Sequence, residues 1–162
     1  MGYTHYWTPK KVSFGTWLDF LKKAKKLKDN LPQFSENAGG YYATKDADTK
    51  LCGWDGTGAP IFSIDRICFN GDAEYEVDHE TFLIGPEETE WNFCKTARKP
   101  YDLMVCAMLL LAHNELGYEI SSDGDYDDWK HSIDFYIDTF YGRSHVGRED
   151  AENMILPDCL KK

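Results

Sequence analysis

"NFCKTARKPYDLMVCAMLLLAHNELG", residues 92–117, holds three consecutive instructions. Its first residues, with Trp91 ahead of them, read as a short strand. Pro100 suits the first position of a helix, where its fixed φ is already helical and its missing N–H costs nothing. Asp102 follows in the first turn, favourable to the helix dipole. Leu103 to Leu111 are apolar nearly all round, which places this helix inside a domain and not on its surface. Gly117 supplies the stop. Between strand and helix stand Lys95, Arg98 and Lys99, three cations in a chain of net charge −10.

Around this run the chain reads as strand, helix, several strands, helix, strand, helix. "YTHYWTP" near the N-terminus alternates β-branched and aromatic residues and ends at Pro9, an opening strand. Ser13 caps a helix in which Phe14, Trp17, Leu18, Leu21, Ala24 and Leu27 recur at helical spacing, and Pro32 ends it. Residues 35–60 carry turn chemistry in "ENAGG" and "GWDGTGAP", with "YYATK" and "KLCGW" as short strand candidates. "PIFSIDRICFNGD" reads as a strand running into a hairpin turn at Asn70-Gly71, with "ETFLIGP" as the return or a near neighbour. "YEISS" is a further strand, and Tyr126–Tyr141 an amphipathic helix with Trp129, Ile133, Tyr136, Ile137 and Phe140 on one face. The expected fold is α+β: one domain over residues 1–142, with a mixed or antiparallel sheet covered by about three helices, then an irregular segment over 143–162.

At 162 residues, with 42% hydrophobic and 15% aromatic side chains, the chain can bury a core without disulfide staples. Its five cysteines are odd in number and contain no C-x-x-C pair, so they read as reduced thiols in a cytoplasmic protein. "LMVCAMLLLA" is far too short to span a membrane, and "MGYTHYW" lacks the apolar core of a signal peptide. Residues 82–162 hold 8 Lys and Arg against 16 Asp and Glu. That field opposes direct nucleic-acid binding.

The cation cluster gives the leading site. A helix start exposes unpaired N–H groups and attracts phosphate or carboxylate. Arg98 adds a planar fork, Lys95 and Lys99 compact charges, and Thr96 a hydroxyl. Ser122 and Asp123 in "SSDGD" (121–125) can meet a sugar hydroxyl or cap the following helix. Tyr3, Tyr6 and Trp7 offer rings on which a base can stack; His5 between them reads as a packed histidine. Neither "FNGDAEYEVDHE" nor the Asp123–Asp128 run matches a metal-binding spacing, so no metal and no cofactor is expected. No nucleophile elbow, Walker loop, dinucleotide glycine set or Cys–His pairing is present, and no catalytic residue is named.

Taken together, "GYTHYW", "FNGD", "ETF", "FCKTARKPYD" and "SSDG" resemble a family of small proteins of bacteria and their phages. The resemblance spans residue 2 to about 130 and brings no activity with it. It implies a standalone protein of the cytoplasm, the host's if phage-encoded. The resulting expectation is a non-enzymatic binding protein for a phosphate-bearing small molecule, a nucleotide in the first instance, sequestering a host nucleotide signal and so antagonising host defence. The alternative is an acidic inhibitor or nucleic-acid mimic that presents Asp123 to Asp138 to a basic host protein. Self-association is left open.

Overall fold

The buried helix is the axis of the structure. In the computed structural model, residues 2–35, 48–142 and 147–161 are described. Of the expected elements, only "ENAGG", "YYATK" and the start of the final segment lie outside the described residues. The central helix, α2 (Asp102–Leu116), buries every residue from Asp102 to Ala112. An all-apolar run has no polar stripe to show water, so it is covered on several sides. Its covers are α1 (Phe14–Asp29), α3 (Tyr126–Phe140), α4 (Arg148–Ile155) and strand β6 (Glu119–Ser122).

Two small antiparallel sheets complete the α+β fold. In the first, β1 (Thr4–Thr8) lies in the middle, between β5 (Asn92–Lys95) and β6. The register sets Tyr6 opposite Phe93 on one side and Ser121 on the other. In the second sheet, β3 (Ile67–Phe69) pairs with β2 (Ile61–Phe62) and β4 (Phe82–Ile84). One hydrophobic core serves both. Trp7 from β1 meets Phe82 at 5.3 Å between ring centroids, Phe82 meets Phe69 at 5.0 Å, and Phe69 stacks on Phe62 at 6.0 Å. Each such pair adds to the burial of its apolar area.

Several expectations need correction. The chain has four α-helices among its described residues, and the C-terminal segment is not irregular: α4 and a short 3₁₀ turn at Asp158–Leu160 pack Ala151, Ile155 and Leu160 into the core. On α1 the buried face is Trp17, Phe20, Leu21, Ala24 and Leu27, while Phe14 is largely exposed. Ser13 caps this helix as expected, its hydroxyl accepting the Thr16 N–H. "KLCGW" gives one isolated bridge, Cys52 to Asn70, and a 3₁₀ turn at Trp54–Gly56.

The hairpin turn lies between β2 and β3, where Ser63 Oγ accepts the Asp65 and Arg66 N–H groups, and not at Asn70-Gly71. Phe82 does pair with Phe69, so "ETFLIGP" is the return strand, reached through a longer loop. Asn70 holds that loop closed: its Oδ1 accepts the Gly71 and His79 N–H groups, and its Nδ2 donates to His79 C=O and Thr81 Oγ1.

Candidate functional site

Alternation along β1 divides the opening motif between two surfaces. Tyr3, His5 and Trp7 point inward and are buried; Tyr6 and Thr8 point out.

On the inner side, His5 is completely buried and hydrogen-bonded through both ring nitrogens. Nδ1 lies 2.8 Å from Ser122 Oγ, and Nε2 lies 2.7 Å from Asp102 Oδ1. Thr96 Oγ1 donates to the same Asp102 oxygen at 2.5 Å, and the Cys106 thiol lies 3.6 Å from Asp102 Oδ2. The Asp102 carboxylate thus gathers His5 from β1, Thr96 from the turn ahead of the helix and Cys106 from the next turn of α2, and Ser122 joins through His5.

Counting protons fixes the state of this network. Ser122 Oγ accepts two obligate donors, the Gly124 N–H at 2.9 Å and the Trp129 Nε1–H at 3.1 Å. Both of its lone pairs are then used, so its own proton goes to His5 Nδ1. His5 is thereby the neutral tautomer with its proton on Nε2, donated to Asp102. Asp102 accepts from His5 and Thr96, and it sits in the first turn of α2, where the helix dipole favours an acidic side chain. Burial pushes the Cys106 thiol well above its ordinary range, so it stays protonated.

His5, Asp102 and Cys106 are also the set among the described residues that could hold a metal ion, their ligand atoms lying within 4.8 Å of one another. A metal would need a bare Nε2 and would force a third donor on Ser122 Oγ. The donor set is complete as a hydrogen-bond network and fits an ion poorly.

Asp102 borders a crevice that it lines with Tyr3, Ser35, Arg98, Lys99, Leu103 and Asp128. Its accessible volume is ≈ 10 Å³, room for about one water. Arg98 closes it. Its guanidinium lies 4.0 Å above the Tyr3 ring and donates to Asp128 Oδ1 at 2.6 Å. Ala97 and Arg98 both have positive φ, 52° and 58°, a left-handed pair that L side chains adopt at a cost. Tyr3 packs so tightly on Gly124 that a Cβ there would come within 2.2 Å of its Oη.

The helix-start cradle expected for phosphate takes a different form. The Asp102 and Leu103 N–H groups are satisfied by Lys99 and Pro100 carbonyls in a tight turn ahead of the helix. Arg98 is engaged by Asp128, and Lys99 Nζ donates to the Glu76 carbonyl at 2.7 Å. Thr96 is fully buried on Asp102.

The outer face of the first sheet is the second surface. Tyr6 stacks on Trp91 with centroids 5.8 Å apart and planes 18° from parallel, and Trp91 contacts Phe93 at 5.6 Å. Trp91 is 58% exposed and Phe93 46%, unusual for aromatics in contact with one another. Tyr6 Oη donates to Asp123 Oδ1 at 3.2 Å, and Asp123 Oδ2 accepts the Thr4 N–H at 3.0 Å. Lys95 lies on this face beside Thr4, its side chain laid across Gly2, where a Cβ would meet Lys95 Cε at 2.3 Å. Among the described residues its ammonium makes no ion pair.

The residues expected from sequence thus separate. Tyr3, Thr96, Arg98, Lys99 and Ser122 gather at the crevice and network. Tyr6, Lys95 and Asp123 share the outer face. Trp7, 1% exposed against Phe82, belongs to the core and offers no ring to a ligand. The cap of α3 is Asp125, which accepts the Asp127 and Asp128 N–H groups, leaving Ser122 and Asp123 for other partners. Sequence reading missed Asp102 as the hub and Trp91 and Phe93 as surface rings; the alternation Trp91, Phe93, Lys95 was the available signal. Among the described residues no helix is long and apolar enough to cross a membrane. Compared with protein-family models, with curated proteins and with solved structures, the chain finds no match in any of the three.

Proposed function

We propose that the chain is a non-enzymatic binding protein for a nucleotide, held on the outer face of the β5–β1–β6 sheet. The observation that carries this reading is the contiguous set of half-buried Tyr6 and exposed Trp91 and Phe93, with Lys95 beside it. Rings on an open sheet face stack on nucleobases at about 1–3 kcal/mol per base, and a neighbouring ammonium suits a phosphate. Sequestration of a nucleotide signal is the biological form of this reading: ligand bound and not turned over.

A role for the acidic carboxy-terminal half as a nucleic-acid mimic has less support. Its carboxylates are interleaved with their own cations: Asp128 with Arg98, Asp134 with Lys130 and Arg148, and Glu152 with Arg148.

Calorimetric and thermal-shift titrations with AMP, GMP, CMP, UMP, ADP, ATP and 3′,5′-cyclic AMP test the proposal. A nucleotide at 100 times its Kd adds about 2.7 kcal/mol, roughly 5–10 °C in Tm for a chain of this size. The shift should disappear in Trp91→Ala and shrink in Lys95→Ala. No shift with any of these nucleotides would overturn it.

A further inference from the structure

The layout of the outer face, if it binds a nucleotide as proposed above, also selects which one. Two rows run across the three strands. One is Phe93, Tyr6 and Ser121; the next is Lys95, Thr4 and Asp123, the last joined to Thr4 by the Asp123 N–H to Thr4 C=O bond. The rows stand ~7 Å apart, two residues of antiparallel strand, which is the span of one sugar with its 5′ carbon. Within the second row Lys95 and Asp123 sit two strand spacings apart, ~10 Å.

This row is electrically polar. Lys95 is its one cation, and a carboxylate stands on each side of it: Glu80 Oε2 accepts the Lys95 backbone N–H at 2.6 Å, and Asp123 lies across the sheet. A first phosphate finds the ammonium; a second or third meets carboxylates in a chain of net charge −10.

Asp123 is exposed and held in orientation by two bonds, one to each oxygen, from the Thr4 N–H and the Tyr6 hydroxyl. A carboxylate offers about four acceptor positions, so each oxygen keeps a lone pair for an incoming donor. Two adjacent acceptors, fixed side by side, match two adjacent hydroxyls.

We infer that the face takes a ribonucleoside 5′-monophosphate: base on Tyr6, Trp91 and Phe93, the single phosphate on Lys95, and the 2′,3′-diol on Asp123. The carboxylate holds the sugar end of the ligand and repels its phosphate, so it sets the direction in which the ligand lies. Polyphosphates, nucleic-acid strands and 2′-deoxynucleotides are the species it rejects.

The test is calorimetric titration of the full chain with AMP, ATP, 2′-deoxy-AMP and adenosine. Expected are AMP at least as tight as ATP, and 2′-deoxy-AMP weaker by about tenfold, the loss of one hydrogen bond to a charged group. Asp123→Asn keeps the side chain's shape and should erase the difference between AMP and 2′-deoxy-AMP. ATP tighter than AMP, or AMP and 2′-deoxy-AMP bound equally, overturns the inference; if Trp91→Ala still abolishes that binding, the nucleotide reading of the face survives. Failure of all four probes to bind overturns both.

Discussion

Replacing Ser122 by alanine removes one oxygen that serves three partners. The Trp129 Nε1–H and the Gly124 N–H lose their acceptor, and His5 Nδ1 loses its donor. Gly124 lies where water can reach it, so its N–H is re-solvated. His5 and Trp129 are both fully buried, and neither can turn to water. Two buried polar groups left unpaired cost ~1–3 kcal/mol each, about 2–6 kcal/mol together. Against a total stability of ~5–15 kcal/mol that is a large fraction.

The measurement is urea unfolding followed by tryptophan fluorescence and far-UV circular dichroism, with Ser121→Ala, an exposed neighbour, expected within ~0.5 kcal/mol of the parent. Nitrogen-15 NMR of the His5 ring provides the direct reading, with the proton on Nε2 and a bare Nδ1. A loss under ~0.5 kcal/mol for Ser122→Ala, or a proton found on Nδ1, would refute the proton count on which the network rests.

Three other outcomes are expected. Gly124→Ala drives a Cβ into the Tyr3 hydroxyl and should cost ~1–3 kcal/mol as overpacking, read by the same unfolding assay. Asp72, with its side chain buried, is held below the usual carboxylate range by its hydrogen bond with Lys50, 2.8 Å away, and by the Glu74 N–H. Its contribution is therefore complete above the unfolded value of about 3.9 and is lost as pH falls from there through the lower folded value. Asp72→Asn should flatten the decline in stability below about pH 4, measured as Tm against pH. Trp91→Ala, at a half-exposed ring, should leave unfolding free energy within about 0.5 kcal/mol while abolishing nucleotide binding.

Elements with a strong period were legible in the sequence. The opening strand, the Ser13-capped helix, the apolar α2 and the α3 face all follow from spacing. The places that were not legible share a physical reason: a side chain spent on a distant partner. Asn70 looks like half of a tight turn, yet its amide is spent on clipping His79 and Thr81. Polar α4 has only Ala151 and Ile155 buried, and it is held by tertiary contacts such as the Asn114 amide on the Ile155 carbonyl. The network at Asp102 joins residues 97 and 117 positions from one another, a distance no local pattern spans. The outer face was half visible: Tyr6, Lys95 and Asp123 were named, whereas Trp91 and Phe93 were read only as strand formers.

The chain of rings from Trp7 through Phe82 and Phe69 to Phe62 has a consequence for how the molecule comes apart. Each sheet has only three short strands, and this aromatic bridge makes each the other's support. Melting of the second sheet would strip Trp7 of its cover and release β1, and with it both surfaces of the first. Amide hydrogens of β3 and β1 should therefore exchange with solvent at one common, slow rate set by whole-molecule opening, although the two strands share no backbone hydrogen bond.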